Sequence, residues 1–304
     1  MASSTEIAHD FTPFIRVYND GRVERLLTAP RLPPSTDPVT GVQSKDIVIS
    51  SDPEVKSRIF LPKINPEHPP KKLPLIIYVH GGGFCIGSPI NIVTQAFLTP
   101  LVSQTPAVAI SIGYRLAPEH PLPTAYHDCW DVFQWIASHA AGSGPDQWIN
   151  DYVDTGRVLL VGESAGANLA HYIAVQAGVN KTSLGIRGLI ALHPYFSHKE
   201  PDNLIKFLYP TSSGTDDDPK LNPCSDPDLE KMGCSRVLIV VAEKDSLKPR
   251  GVGYKETLER SKWGGKVEFI ENEGEDHCFY LFDPSSEKAK GLFQTLVSFI
   301  NQVI

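Results

Sequence analysis

Two apolar patterns alternate along the chain from Leu73 onward. Leu75-Ile76-Ile77-Tyr78-Val79 is a short run with no polar break, of the kind buried on both faces of a sheet. Similar runs recur at 107–112, 158–161, 188–192 and 237–242, with a weaker sixth at 267–270. Between them lie stretches spaced for helices. Residues 125–140 put Trp130, Phe133, Trp135 and Ile136 on one face, 165–177 form a second stretch, and 288–304 carry Phe293, Leu296, Val297 and Ile300. Strand alternating with helix implies right-handed crossovers and a mostly parallel sheet flanked by helices. The expected fold class is α/β, with residues 1–304 as a single domain.

The N-terminal part reads differently. Phe14, Ile15, Val17 and Tyr18 precede Asn19-Asp20-Gly21, and Val23, Leu26 and Leu27 follow it. Asp-Gly between apolar runs signals a tight turn. Residues 44–60 alternate loosely as one further strand and lead into a Pro-rich polar stretch at 62–74, read here as a surface loop within the domain. There is no internal repeat and no low-complexity tract.

Composition narrows the function classes. The 304 residues are 41% hydrophobic and 21% charged, which is ordinary globular usage, and 26 prolines with 23 glycines imply many short connections. Lys plus Arg number 28 against 35 for Asp plus Glu, a net charge of −7 with no concentrated basic stripe, so nucleic acid is not an expected partner. Cys85, Cys129, Cys224, Cys234 and Cys278 are scattered, odd in number and without a CxxC pair. They suit free thiols in a reducing compartment and argue against a disulfide scaffold or a zinc site. The first residues lack a basic segment followed by an apolar core, so no signal peptide is expected. The apolar runs are strand-sized, well short of the roughly 20 residues that span a bilayer. A cytoplasmic address is expected, with no membrane span.

The chemistry begins at Gly162-Glu163-Ser164-Ala165-Gly166, a G-x-S-x-G that directly follows the run 158–161 and opens the helix at 165. A serine at a sharp strand-to-helix turn has its hydroxyl pushed out, and crowding of the neighbouring backbones demands small flanking residues. The new helix aims free N–H groups and its positive dipole end at that hydroxyl. A second pattern, His80-Gly81-Gly82-Gly83-Phe84, also follows an apolar strand. Three glycines let consecutive N–H groups point outward, as an oxyanion hole requires. A phosphate loop is the rival, but no Lys-Ser or Lys-Thr closes this one and the G-x-G-x-x-G spacing is absent. His80, at the strand end, reads as a brace for the loop.

An acyl-transfer serine needs a base and an orienter, in this fold in the chain order nucleophile, acid, histidine. Downstream of Ser164 and outside its helix stand His193, His198 and His277. His171 lies about two turns up that helix, too far to serve. His277 follows a weak strand and precedes the last helix, where a loop can return a base to the sheet edge. The strand at 237–242 ends in Glu243-Lys244-Asp245, and Asp245 is the favoured acid, with Glu243, Glu275 and Asp276 as alternatives.

Together these residues resemble the hormone-sensitive-lipase-like branch of the α/β-hydrolases, most closely the plant carboxylesterases. The likeness extends to Ile15-Arg16-Val17-Tyr18-Asn19-Asp20-Gly21-Arg22-Val23-Glu24-Arg25, to Tyr114-Arg115-Leu116-Ala117-Pro118-Glu119-His120 and Trp148-Ile149, and through Leu221-Asn222-Pro223 and Gly233-Cys234-Ser235-Arg236 to the C-terminal helix. It covers nearly the whole chain. It implies an α/β-hydrolase fold with Ser164 as nucleophile, His277 as general base and Asp245 as its orienter. It also implies an oxyanion hole from the amides of Gly82, Gly83 and Ala165, with the 114–120 block as a brace below the site. About residues 1–45 would serve as a lid, and no metal or cofactor is implied.

The same branch holds three outcomes: hydrolysis of small carboxylic esters, a lyase role similar to 2-hydroxyisoflavanone dehydratase or alkaloid cyclases, and small-molecule reception like the gibberellin receptors. The receptors lose the histidine that stands here as His277, and the dehydratases often carry Thr in place of Ser164. Ester hydrolysis is therefore the expected activity, on a small-molecule ester or specialised metabolite, by a monomer or weak homodimer. One departure stands out. Residues 197–221 span 25 positions, a shortened cap compared with the insertion common in relatives, which implies a more open pocket or one shaped for a bulky substrate.

Overall fold

A computed structural model describes residues 6–65, 67, 72–197, 202–212 and 217–304. The chain opens with a small antiparallel sheet in which β1 (Ile7–Phe11), β2 (Ile15–Tyr18) and β3 (Val23–Arg25) pair in that order. The Asp20-Gly21 turn joins β2 to β3, and Gly21 takes the φ of 84° that such a turn asks of glycine. The run 44–60 is not one strand. It forms an antiparallel hairpin of β4 (Gln43–Ser51) and β5 (Glu54–Leu61), because Pro53 has no N–H for the ladder and Asp52-Pro53 makes a turn.

Six parallel strands follow at the expected places: β6 (Leu73–Val79), β7 (Val108–Ile112), β8 (Val153–Glu163), β9 (Ile186–Leu192), β10 (Arg236–Ala242) and β11 (Lys266–Asn272). With the hairpin on one edge they form an eight-stranded sheet in the order β11-β10-β9-β8-β6-β7-β5-β4. The polar-free runs are buried on both faces. Leu75, Ile77 and Val79 of β6 enter one apolar core and Ile76 and Tyr78 enter the other, the two-residue period of a strand.

Helices fill the crossovers: α1 (Ile92–Gln104), α2 (Thr124–Ala137), α3 (Gln147–Tyr152), α4 (Ala165–Asn180), α5 (Asn203–Leu208), α6 (Lys248–Arg260), α7 (Phe279–Phe282) and α8 (Glu287–Val303). Side chains of α2, α4 and α6 build the core on one face, and those of α1 and α8 build it on the other. The helical stretches read from sequence correspond to α2, α4 and α8. The helices α1 and α6 were not anticipated, since Pro100 interrupts the first and Gly251 and Gly253 the second. No helix among the described residues is long and apolar enough to cross a membrane, and all five cysteines are free. The C-terminal ends of β6, β8, β10 and β11 open toward one side, the place where open parallel sheets gather their chemistry.

Candidate active site

Ser164 sits between β8 and α4 with φ 51° and ψ −119°, a left-handed conformation that a side chain rarely adopts. Both flanking glycines are required by space. A Cβ on Gly162 would run into the backbone of Gly166, and one on Gly166 would run into the carbonyls of Val79 and His80. The turn is pinned by the Ser164 amide donating to Leu192 O (2.8 Å) and its carbonyl accepting from Tyr195 N (3.0 Å). Ala165 then begins α4, where the first N–H groups have no acceptor within the helix.

His277 follows β11, and its Nε2 stands 3.1 Å from Ser164 Oγ. Its Nδ1 stands 2.7 Å from Asp245 Oδ2, and Asp245 Oδ1 accepts from the Leu247 amide at 2.7 Å. Burial pushes the Asp245 pKa up, but hydrogen bonds from His193 and His277, the His277 charge and the Leu247 N–H outweigh it and hold the carboxyl well below its usual value. The alternative acids are otherwise engaged. Glu243 accepts from the Gly274 amide, Glu275 pairs with Lys288, and Asp276 accepts from the His277 backbone. His171 is buried against Tyr254 OH at 2.8 Å, and His198 lies outside the described residues.

The glycine loop after β6 turns the chain under Ser164. Gly82 and Gly83 have φ of 111° and 58°, and among the described residues nothing accepts from their amides. A Cβ on Gly81 would press on the Glu163 carbonyl (2.9 Å) and the Ser164 side chain (3.2 Å), so the loop packs closely against the Ser164 turn. His80 is buried beside this loop. Its ring stacks on Tyr114 (4.4 Å between centroids), its Nδ1 meets Gly81 O at 2.8 Å, and Tyr114 OH donates to His80 O at 2.9 Å. Burial lowers the His80 pKa to about 4, so the ring is neutral at neutral pH.

Three further features were not legible in the motifs. Glu163, a variable position of G-x-S-x-G, is buried with Oε1 accepting from the Gly81 amide (3.1 Å) and Oε2 from Tyr280 OH (3.4 Å). Burial raises its pKa against those hydrogen bonds. His193 places Nδ1 3.2 Å from Asp245 Oδ2. Arg25 of β3 donates to Cys85 O (2.8 Å) and makes a two-pronged pair with Glu119 (2.8 Å each), binding the N-terminal sheet to the glycine loop and to the 114–120 block. Arg25 stands in the N-terminal block that carries the resemblance and His193 among the histidines downstream of Ser164, but no local pattern points to the contacts that these residues or Glu163 make. A Cβ on Gly83 would meet the Phe14 and Leu204 side chains at 3.4 and 3.5 Å, so both stand on the open side of this glycine.

His193, His277 and Cys278 bring metal-donor atoms within 4.8 Å of one another. Both imidazoles face Asp245 through Nδ1, and burial pushes the Cys278 thiol well above its usual pKa, so this set suits hydrogen bonding to a carboxylate better than metal ligation.

A family model described as alpha/beta hydrolase fold matches residues 76–281. A relative from Arabidopsis thaliana named "Probable carboxylesterase 13" is 41% identical, over 97% of this chain and 98% of its own. The 2-hydroxyisoflavanone dehydratase of Glycyrrhiza echinata is 39% identical, over 99% of this chain and all of its own. Among solved structures, a hyperthermophilic esterase from the archaeon Pyrobaculum calidifontis superposes with a TM-score of 0.71 at 24% identity, covering 86% of this chain and 87% of that one. An esterase from Pseudomonas putida gives 0.72 at 22%, covering 89% and 85%.

Proposed function

Because the chain belongs to the α/β-hydrolase fold family, with plant carboxylesterases among its relatives, we propose that it is a serine carboxylesterase acting on small-molecule esters. The observation that carries the reading is the continuous relay from Ser164 Oγ through His277 to Asp245, with links of 3.1 and 2.7 Å. In this reading Ser164 Oγ attacks the ester carbonyl carbon while His277 Nε2 takes its proton. The carbonyl oxygen gains the negative charge and is held by the amides of Gly82, Gly83 and Ala165. Collapse expels the alcohol, protonated by His277, and leaves an acyl-serine. Water, deprotonated by the same nitrogen, then releases the acid and restores Ser164. Asp245 keeps the Nδ1–H tautomer in place and balances the imidazolium. The described parts of residues 1–45 and 197–221 serve as lid and shortened cap, a reading supported by the Phe14 and Leu204 side chains on the open side of Gly83. We place the protein in the cytoplasm on its five free thiols.

Hydrolysis of p-nitrophenyl acetate and butyrate tests this. Ser164→Ala is expected to lower kcat by about 10⁴ or more, and a fluorophosphonate is expected to label Ser164 in the wild type. Turnover unchanged by the substitution would overturn the reading. The dehydratase relative supports a second one, in which His277 moves a proton on a carbonyl substrate without an acyl-enzyme. Labelling with feeble ester turnover would favour it.

A further inference from the structure

His193 touches the relay but has no part in the proton transfers proposed above. It follows β9, donates its amide to Val240 O (2.8 Å) and adopts φ 45°, although it is not glycine. Such a conformation is strained for a residue with a side chain and persists where the surroundings dictate it. The side chain is fully enclosed. Its ring lies edge-on to His277 at 5.6 Å, with Phe279 and Tyr280 at 6.1 and 5.7 Å. Nδ1 stands between two groups, Asp245 Oδ2 at 3.2 Å and the Cys278 amide at 3.3 Å, and Nε2 has no partner among the described residues.

The neighbours choose the tautomer. The two groups ask opposite things of Nδ1. A proton on Nε2 would let Nδ1 accept from the Cys278 N–H, but it would also set the Nδ1 lone pair against a buried carboxylate oxygen and leave the Nε2 proton without an acceptor. Facing the charge costs more than losing the 3.3 Å amide contact. A proton on Nδ1 gives that oxygen a second donor beside His277. Burial lowers the His193 pKa, which keeps the ring neutral, so it adds a donor without adding a charge that would repel the imidazolium. We propose that His193 is a positioning residue for Asp245, whose Nδ1–H fixes the rotation of the carboxylate and draws part of its charge away from His277. The inference rests on the serine-hydrolase reading.

Two substitutions separate this role from packing. His193→Leu removes the donor. His193→Asn sets an amide nitrogen near the place of Nδ1 and keeps it. Rates on p-nitrophenyl butyrate are expressed per serine titrated with a fluorophosphonate, so that unfolded molecules do not count. For His193→Leu, kcat is expected to fall about tenfold with KM little changed. Its acid limb of kcat/KM should move to higher pH, because an undivided carboxylate holds the imidazolium more firmly. His193→Asn should return the limb toward the wild-type position. The other groups that face this pair are Asp276 and Cys278 from the loop after β11, Tyr280 from α7 and Glu163 from β8, and all are unchanged in both variants.

An unshifted limb and unchanged rate in His193→Leu would overturn the proposal, as would a His193→Asn limb coincident with that of the leucine variant. If the leucine variant yields no titratable serine, the asparagine variant decides alone: a wild-type limb supports the role and a displaced one overturns it. Absence of serine-dependent turnover in the wild type would instead overturn the hydrolase reading.

Discussion

At Gly82 the absence of a side chain has a chemical consequence. Its φ of 111° is closed to other residues, and a Cβ there would strike the Ile86 carbonyl, so the loop that frees the Gly82 and Gly83 amides depends on this position. Gly82→Ala is expected to lower kcat per titrated serine by about 10²–10³ through loss of oxyanion contacts, and to lower the melting temperature by several degrees through the strained loop. A melt that falls steeply while kcat per titrated serine holds would contradict that assignment. The same scale shows what the sequence could convey. Ser164, Asp245 and His277 each stand just beyond a strand end, and strand ends are visible as the close of an apolar run. Glu163 and His193 meet hydrogen-bond partners 82 and 52 positions away, and no local pattern records such a meeting.

Among elements, the N-terminal sheet meets the site through Arg25. Its guanidinium holds the Cys85 carbonyl and the Glu119 carboxylate together, so it ties β3 to the glycine loop and to the 114–120 block. The pair is partly exposed and adds little to global stability. Arg25→Ala is therefore expected to leave the melting temperature within a few degrees while lowering kcat/KM several-fold and speeding proteolysis within residues 6–25. Equal proteolysis of both forms would argue against the tether. The parallel strands were legible because burial on both faces leaves an unbroken apolar run. The β4–β5 hairpin was not, because Asp52-Pro53 breaks a pattern that stays loosely alternating on either side. Likewise α1 hid behind Pro100, which propensity counts against a helix and tertiary packing tolerates.

For the whole molecule, acid sensitivity follows from buried imidazoles. Burial lowers His80 to about 4 and His171 to about 3, against 6.5 for a free side chain. Between these values the unfolded chain binds protons that the native protein refuses, so stability falls as pH drops below 6.5, by about 1.4 kcal/mol per pH unit for each histidine. Asp245 acts lower. Its folded pKa lies below the unfolded 3.8, so its contribution is complete above that value and is lost only beneath it. Urea midpoints are expected to decline between pH 6.5 and 5, and His171→Leu should make the decline shallower by about one proton. A wild-type midpoint that stays level across that window would refute the account.

Positive φ is unevenly distributed over the non-glycine residues. Lys181 closes α4, while Phe84, Ser164, His193 and Cys278 all lie in the loops around the relay. The buried packing of Phe84, His193 and Cys278 is reason enough for folding to keep them at a strained φ. Ser164 has only a hydroxymethyl group to set against that strain, so a descendant freed from what the hydroxyl does would show its retirement first at this codon, by change to glycine, before the sheet recorded anything.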